Sequence, residues 1–364
     1  MAWYDEAVFY HIYPLGLCGC AHENDGQPTP GAFAKLEAWA AHAAKLGCTA
    51  IYIGPLFESG SHGYDTIDYR LVDRRLGTNE EFKAFVAACH ARGQRVIVDG
   101  VFNHVGRDFF AFRDLKANRE NARYKDWFCD VNFWGNNEYN DGFSYGNWGG
   151  YNLLVKLNQR NPEVQQYHYD TVRFWVEQFD IDGIRLDAAD VLDFDFMRGL
   201  RRLANEVKPE FWLMGEVIHG DYSRWANPEM LHSVTNYELH KGLWSGHNDH
   251  NYFEIAPTPC AGCRGCATTP GCISSRITTT WSACPTSCAT GSTSGTLPFW
   301  CTACGAFRPS TTAQSSASRA KRSGAATGRC APVWSSVTML MQNVQILLPV
   351  YTKRWGNARL NCRK

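Results

Sequence analysis

The sequence predicts an α/β fold in which helices alternate with the strands of a parallel sheet. Short apolar runs, each suited to a strand buried on both faces, recur along residues 1–256. Segments with helical spacing separate these runs, which is the pattern of repeated β-α units. The chain has 364 residues, enough for one large domain of barrel size or two medium ones. This pattern alone leaves open whether the sheet is open or closed into a barrel.

Six strands are predicted from the apolar runs, over residues 8–14, 49–56, 94–102, 183–189, 211–217 and 233–239. The helices between them carry recognisable end signals. Gly47 is placed to end a helix that begins near residue 32. Thr78 and Glu81 have the spacing of a capping box. Asn161 followed by Pro162 opens another helix, since proline is favoured at the first helical position.

A long, polar and aromatic stretch, residues 105–160, interrupts this alternation and includes the string FCDVNFWGNNEYNDGFSYGNWGGYN. A loop of this length in a compact fold is usually functional. Aromatic rings among Asn and Gly residues suit stacking on sugar rings. An ordinary surface excursion is the alternative that composition leaves open.

Polar residues at the carboxyl ends of parallel strands point into the functional site of such folds. Asp187 and Glu216 end successive strands, and Arg185 lies two residues before Asp187. A carboxylate pair with one member ionised and the other protonated is what glycosidic bond cleavage requires. A structural ion pair is the alternative for any single one of these acids. The other polar residues at predicted strand ends are Asp99, Asn103, His104, Asn236 and Glu238.

Five motifs together resemble those of the α-amylase family (glycoside hydrolase family 13): HGYDTIDY (62–69), DGVFNH (99–104), KLN (156–158), GIRLDA (183–188) and GEV (215–217). They occur in the family's order and cover nearly all of residues 1–256. The resemblance implies a (β/α)8 TIM-barrel type catalytic domain with a small domain inserted after strand 3. The barrel would then occupy residues 1–104 and 161–256, and the inserted domain would occupy residues 105–160.

The resemblance assigns the chemistry to two acids. Asp187 would be the nucleophile that forms a β-glycosyl intermediate, and Glu216 would protonate the leaving oxygen and then activate water. This retaining scheme needs the two carboxyl groups roughly 5–5.5 Å apart. Arg185 would keep Asp187 ionised by charge pairing. The implied activity is that of a retaining α-glycosidase on α-1,4-glucans such as starch, maltodextrin or cyclodextrin.

Substrate binding is assigned by the resemblance to Tyr64, which would stack under the sugar at the cleaved bond, and to His104, which would hydrogen-bond its hydroxyl groups. Asp65 would contact the same sugar. No cofactor is required. Calcium enters only through Asn103, which matches a calcium ligand in some relatives, and a merely hydrogen-bonding asparagine is the alternative. Asp190 differs from the Lys or Asn expected three residues after the nucleophile, so the exact substrate stays open.

The expected partner is an α-glucan oligosaccharide or polysaccharide, with no nucleic acid and no membrane. No run of roughly 18 apolar residues offers a membrane span. The N-terminus, MAWYDEAVFY, carries acids instead of the basic region of a secretory signal. We therefore expect a cytoplasmic protein.

Residues 257–364 differ sharply in composition from the rest. This span of 108 residues has no Asp, Glu or His, so all 36 acidic residues lie in 1–256. With 24 basic residues against these 36, the first part has a formal charge of −12, and 12 basic residues give the second part +12. A disordered basic tail is disfavoured by apolar runs such as SVTMLMQNVQILLPVY. A zinc module is the other conventional interpretation, because two cysteine pairs offer four thiolates, Cys260 with Cys263 and Cys301 with Cys304.

A frameshift in the gene explains this composition better. Suppose that the true reading frame starts at the third base of each codon that encodes the present sequence. RITTTWSA (276–283) is then compatible with DNHDVER in that hidden frame. That string contains Asn-His-Asp, the family motif that carries a third acid at the seventh strand end. Residues 304–322 are likewise compatible with GIPSIYYGSEFGIEGKK, which resembles the approach to the eighth strand. We therefore expect 257–364 to be an out-of-frame, non-native or disordered segment.

The chain as written would keep about six barrel strands and both catalytic acids, but it would lose the acid that stabilises the transition state. We expect an incomplete barrel and weak or absent activity. A non-catalytic α-glucan-binding remnant and a C-terminal zinc-binding module are the alternative functions.

The third bases of codons 276–279 test the frameshift. They should be G, A, C and G, because only this set encodes Asp-Asn-His-Asp in the hidden frame. Sequencing the gene across these codons is the measurement, and any other set of bases excludes the hidden motif.

Overall fold

Eight strands form a closed barrel in the computed structural model, which describes residues 2–251, 253, 277–282 and 337–341, the last two ranges by their backbone alone. Around the barrel the strands follow in the order β1 (Val8–Ile12), β13 (Val337–Met341), β12 (Ile277–Ser282), β11 (Ser233–Thr235), β10 (Trp212–Gly215), β9 (Gly183–Leu186), β5 (Arg95–Gly100) and β2 (Ala50–Ile53). β1, β2, β5, β9, β10 and β11 follow one another along the chain and also lie side by side in the barrel. Repeated β-α units produce this arrangement.

The six strands that the sequence predicts are confirmed, and every pairing among them is parallel. Each observed strand is shorter than its predicted apolar run, because the residues at its ends leave the hydrogen-bonded ladder. The difference matters most at 233–239, where β11 ends at Thr235 and a helix begins at Tyr237. Tyr237 therefore belongs to a strand-to-helix junction.

Two strands from residues 257–364 complete the ring. β12 pairs in parallel with β11, which places it at the seventh position, whereas β13 runs antiparallel to both β12 and β1. An antiparallel eighth strand is not the product of a β-α unit like those before it. The (β/α)8 pattern is therefore incomplete in this chain, as predicted. That 257–364 is out of frame stays a prediction, since only these two backbone segments are described there.

The helices carry the end signals that the sequence predicts. The Thr78 hydroxyl accepts the backbone N–H of Glu81 at 3.2 Å, and the Glu81 carboxylate accepts the N–H of Thr78 at 2.9 Å. The Asn161 side chain caps the helix that starts at Pro162, and Gly47 has a φ of +87° just past the helix that it ends. None of the described helices is long and apolar enough to cross a membrane. The helices are α1 (Pro14–Cys18), α2 (Ala32–Lys45), α3 (Asn79–Ala91), α4 (Phe110–Asn118), α5 (Pro162–Phe179), α6 (Phe194–Val207) and α7 (Tyr237–Asn248).

The predicted small domain after the third barrel strand, β5, is confirmed as a structure in its own right. It contains α4 and a three-stranded antiparallel sheet in which β8 (Tyr151–Lys156) lies between β6 (His104–Val105) and β7 (Asn147–Trp148). Phe112 packs against Phe128 and Tyr145, with ring centroids 5.3 and 4.9 Å apart. This aromatic core holds the loops of the small domain in place over the barrel. A shorter antiparallel pair, β3 (Phe57–Ser59) and β4 (Thr66–Val72), follows β2.

The inside of the barrel is filled by side chains. Phe9 and Trp212 stack with their ring centroids 4.7 Å apart, and both are fully buried. Ala50, Ile97 and Met214 belong to the same cluster. A filled interior leaves the two open ends of the barrel as the places where a site can form.

Asp182 ties the amino-terminal ends of the strands together, just before β9. Its Oδ2 accepts the N–H of Val96 at 2.8 Å and lies 2.7 Å from Nε2 of His90. Its Oδ1 lies 3.0 Å from both Arg95 Nη1 and Lys208 Nζ. Burial opposes ionisation here, but the hydrogen bonds and the Lys208 charge outweigh it and lower the pKa of Asp182 to about 2. The ionised carboxylate is therefore part of the fold.

Replacing Asp182 by Asn should lower the free energy of unfolding by about 2 kcal/mol at pH 7. The depressed pKa means that this contribution is present above the unfolded-state pKa of about 4 and disappears as the pH falls to about 2. Urea unfolding from pH 7 to pH 2 measures it. Asp180→Asn is the matched control, because Asp180 contacts His90 and Lys208 but its side chain is 66% exposed. Equal losses in the two variants would contradict the assignment.

Candidate active site

The candidate site lies at the carboxyl ends of the parallel strands, where register brings charged side chains together. Asp99 in β5 is aligned with Arg185 in β9. Asp187 and Glu216 directly follow β9 and β10, and the backbone N–H of each still donates to the neighbouring strand. The predicted acid pair and the predicted arginine are therefore brought together by the sheet itself.

Arg185 is the centre of this cluster. Its Nη1 lies 2.7 Å from Oδ1 of Asp99 and 2.8 Å from Oδ1 of Asp187, and its Nη2 lies 2.6 Å from Oε2 of Glu216. The guanidinium side chain is only 9% exposed. Three carboxylates around one cation give a net negative charge in a buried site, so full ionisation of all three is unfavourable.

Asp99 is the most deeply buried of the three acids. Its Oδ2 accepts the hydroxyl of Tyr52 at 2.7 Å, and burial raises its pKa although Arg185 opposes the rise. A Cβ at Gly54 would lie 2.6 Å from Cβ of Asp99, so the carboxylate reaches its place only because position 54 is glycine. Asp99 thus shares the charge of Arg185 from the barrel side.

No single partner keeps the pKa of Asp187 in the ordinary range of an aspartate. Burial raises its pKa to about 7, and the nearby Asp99 and Glu216 add to the rise, whereas Arg185 lowers it. The predicted effect of Arg185 on Asp187 is therefore present in direction. It does not offset burial in the free site, because the guanidinium divides its charge among three carboxylates.

Glu216 has the opposite tendency. Its Oε1 accepts the hydroxyl of Tyr237 at 2.8 Å, and its Oε2 accepts the N–H of Ala188 at 3.2 Å. Burial favours the protonated acid, but Arg185 and these hydrogen bonds outweigh it and lower the pKa of Glu216. In the free site the pKa of Asp187 is therefore raised and that of Glu216 lowered, the reverse of the order with which the predicted roles begin.

Two of the predicted sugar-binding residues, Asp65 and His104, each leave a buried polar atom without a hydrogen bond. Asp65 is buried, and its Oδ2 accepts the hydroxyl of Ser61 at 2.9 Å while its Oδ1 has no hydrogen bond. His104 is buried with Nε2 unpartnered, and burial lowers its pKa to about 4, so the ring is neutral. Buried polar atoms without partners are costly, and sugar hydroxyl groups would satisfy both. Tyr64 lies beside the acids: burial raises the pKa of its hydroxyl, and the carboxylate charges add to the rise.

An aromatic face on the small domain adjoins this region. The ring of Trp148 is parallel to that of His104, with centroids 6.3 Å apart. Tyr151 is aligned with Trp148 across the β7–β8 turn and is 68% exposed. Trp134 and Tyr139 are also exposed on the preceding loop. The predicted stacking of such rings on sugars stays a prediction.

Asn103 makes two side-chain hydrogen bonds. Its side chain is fully buried, with Nδ2 3.2 Å from Nδ1 of His104, and Oδ1 accepts the amide of Gln159 at 3.4 Å. Within the described part of the chain, no group of three or more His, Cys, Asp or Glu side chains is placed to hold a metal ion. These contacts agree with the hydrogen-bonding alternative, and calcium binding at Asn103 stays a prediction.

Two tyrosines of the site escaped the sequence analysis. Tyr52 lies inside the apolar run of β2. Its hydroxyl, a polar group in a strand predicted to be buried, was the only indication of a role in the site. Tyr237 directly follows Asn236, one of the polar strand-end residues, but the predicted strand ran through it. In each case the pairing partner, Asp99 or Glu216, is distant in sequence.

A profile of the alpha-amylase catalytic domain matches residues 41–262, more than half of the chain. The chain belongs to the α-amylase family. The matched range contains all six predicted site residues, and it ends a few residues into the segment of altered composition.

Known relatives of this α-amylase family member extend beyond it. It is 35% identical over 252 residues to a cyclomaltodextrinase of Geobacillus thermopakistaniensis, covering 65% of this chain and 42% of the relative. It is 37% identical over 254 residues to the intracellular maltogenic amylase of Bacillus subtilis, with the same coverages. Ligand-free cyclic α-maltosyl-(1→6)-maltose hydrolase from Arthrobacter globiformis superposes with a TM-score of 0.61 at 28% identity, over 69% of this chain and 59% of that one. The chain thus spans less than half the length of these curated relatives.

Substitutions of the two acids should change stability in opposite directions at pH 8. Asp187→Asn should raise the free energy of unfolding by about 1–2 kcal/mol, because an ionised group with a raised pKa destabilises the fold above that pKa. The gain should shrink at pH 5, where Asp187 is protonated. Glu216→Gln should instead lower stability at pH 8, since its pKa is lowered. Chemical unfolding at both pH values measures this, and changes of the same sign at pH 8 would contradict the electrostatic account.

Proposed function

We propose that the frame-corrected gene product is a retaining α-glycosidase acting on α-1,4-glucans such as starch, maltodextrin or cyclodextrin. We propose further that the present polypeptide is a weak or inactive form of it. One observation carries the proposal: Asp187 and Glu216 meet on the two nitrogens of a single guanidinium at the carboxyl ends of a barrel. The names of the relatives, a cyclomaltodextrinase and a maltogenic amylase, support the same substrate class.

The reaction has two displacements. In the first, the ionised carboxylate of Asp187 attacks the anomeric carbon, the glycosidic C–O bond breaks, and Glu216 gives its proton to the leaving oxygen. In the second, Glu216 takes a proton from water, the water oxygen attacks the same carbon, and the bond to Asp187 breaks. Configuration is retained because the carbon is inverted twice.

Substrate binding moves the proton to where the first step needs it. Glu216 is the more accessible of the two acids, since its side chain is 21% exposed and that of Asp187 is 10% exposed. A glycosidic oxygen that takes the place of Arg185 on Glu216 removes the main influence that lowers the pKa of that acid. Arg185 then concentrates its charge on Asp187 and Asp99. The proton leaves Asp187 and is held by Glu216.

Loss of the third acid explains why the present chain should be weak. The seventh position of the barrel is occupied by β12, whose sequence ITTTWS contains no carboxylate. An acid that stabilises the transition state contributes roughly 10²–10³-fold or more to the rate. The family match also ends at residue 262, close to the proposed frameshift.

A non-catalytic α-glucan-binding remnant is the second candidate. The unpartnered atoms of Asp65 and His104 and the exposed ring of Tyr151 favour it, because they would bind sugar whether or not the third acid is present. The zinc alternative depends on cysteines that lie outside the described residues. We also propose a cytoplasmic location, which the intracellular relative from Bacillus subtilis supports.

Activity of the frame-corrected protein against that of the present chain tests the proposal. On maltoheptaose and β-cyclodextrin, the corrected protein should be at least about 10²-fold more active, and Asp187→Asn should abolish its activity. Each protein is first checked by intact mass. Equal activity of the two chains would overturn the frameshift account. An inactive corrected protein that binds maltoheptaose calorimetrically would favour the remnant, and stoichiometric zinc in the purified chain would favour the metal module.

A further inference from the structure

The segment that carries Glu216 is hydrogen-bonded to the β11–α7 junction at two successive residues, Glu216 and Val217. The hydroxyl of Tyr237 donates to Glu216, at 2.8 Å. The N–H of Val217 donates to Oγ1 of Thr235 at 2.9 Å, and that hydroxyl donates back to the Val217 carbonyl at 3.0 Å. The carbonyl of the next residue, Ile218, accepts the hydroxyl of Tyr222. The orientation of Glu216 therefore depends on an element outside the strand that precedes it.

Tyr222 closes this loop of contacts. Its hydroxyl donates to the Ile218 carbonyl at 3.4 Å, and backbone groups of Tyr237 and Glu238, at the first turn of α7, oppose the rise that burial causes in its pKa. Tyr222 is 2% exposed. The start of the helix is thereby fixed relative to the residues that follow Glu216, and the phenol of Tyr237 is held at one oxygen of that acid.

The two oxygens of Glu216 are held differently. Oε1 has the neutral hydroxyl of Tyr237, whose pKa is raised by burial and by Glu216, so it stays a proton donor. Oε2 has the guanidinium of Arg185 and the N–H of Ala188. The partners of Oε2 also adjoin Asp187, since Arg185 contacts that acid and Ala188 directly follows it.

We propose that Tyr237 is a positioning residue that anchors Glu216 by Oε1 and so reserves Oε2 for proton transfer. The proposal rests on the function proposed above and adds a residue to it. When a glucan displaces Arg185 from Oε2, the bond from Tyr237 keeps the carboxyl group aimed at the glycosidic oxygen. In the second displacement the same bond stabilises the ionised acid that removes a proton from water.

The proton affinity of Glu216 is the property that a merely structural tyrosine would leave unchanged. The groups that face Glu216 are Arg185, Asp187, Asp99, Asp190, Tyr64 and Tyr237. Of these, Tyr237 alone can lose its hydrogen bond without a change of formal charge or of ring shape, by substitution to Phe. A hydrogen bond to the ionised form favours that form. Its removal should raise the midpoint of Glu216 protonation by about one pH unit, about tenfold in proton affinity.

Infrared titration of the full chain measures this midpoint. The signal of Glu216 is isolated as the difference between each protein and its Glu216→Gln counterpart. The midpoint should rise in Tyr237→Phe and stay unchanged in Tyr169→Phe, a matched control that loses a 3.2 Å bond to the Phe196 carbonyl between α5 and α6. An unchanged midpoint in Tyr237→Phe, or an equal rise in both variants, overturns the proposal.

A second substitution covers a folding failure of the first. Incorporation of 3-fluorotyrosine at position 237 keeps the ring and makes the hydroxyl a stronger donor, so the midpoint should fall; a rise or no change overturns the proposal. Mass-spectrometric detection of a glycosyl-enzyme at Asp187, formed from α-maltosyl fluoride by the frame-corrected protein, reports separately on the proposed function. Shifted midpoints without any adduct would reject the glycosidase function and leave the positioning of Glu216 by Tyr237 standing.

Discussion

The buried guanidinium of Arg185 is the group on which the arrangement of the site depends. It contacts three carboxylates on two neighbouring strands and on its own, and it is almost entirely removed from water. Without it, the acids would lie in a dry place without a compensating charge. With it, the cluster still carries more negative than positive groups, so a proton is retained. In the proposed function, this unequal count of charges leaves one proton for the acid pair to share, which is what a nucleophile and a proton donor require.

The barrel converts this electrostatic requirement into geometry. Parallel register aligns Asp99 with Arg185, and the ends of β9 and β10 place Asp187 and Glu216 at the same edge. The interior below is filled by rings such as Phe9 and Trp212, which keeps water from the lower side of the cluster. Asp182 ties strands and helices at the opposite end. Stability and chemistry are thus separated to opposite ends of the barrel, as is usual for this architecture.

The seventh strand position contributes no carboxylate to the site. All the acids and binding groups described at the site precede residue 238, within the part of the chain that keeps its negative composition. β12 occupies the seventh position of the barrel but carries no carboxylate. The present polypeptide therefore combines an assembled acid pair with a missing third acid. In the proposed function, such a site binds a glucan but leaves the oxocarbenium-like transition state without part of its stabilisation.

The sequence by itself determined the strands, the caps at Thr78 and Asn161, the acid pair and its arginine, because each depends on local pattern or on a short motif. The change of composition after residue 256 was also visible in the letters alone. Only the tertiary structure decided that Arg185 is shared by three carboxylates, that burial raises the pKa of Asp187 while Arg185 lowers that of Glu216, and that Tyr237 binds Glu216. These facts depend on burial and on contacts between residues far apart in the chain. Neither is encoded in the spacing of neighbouring residues.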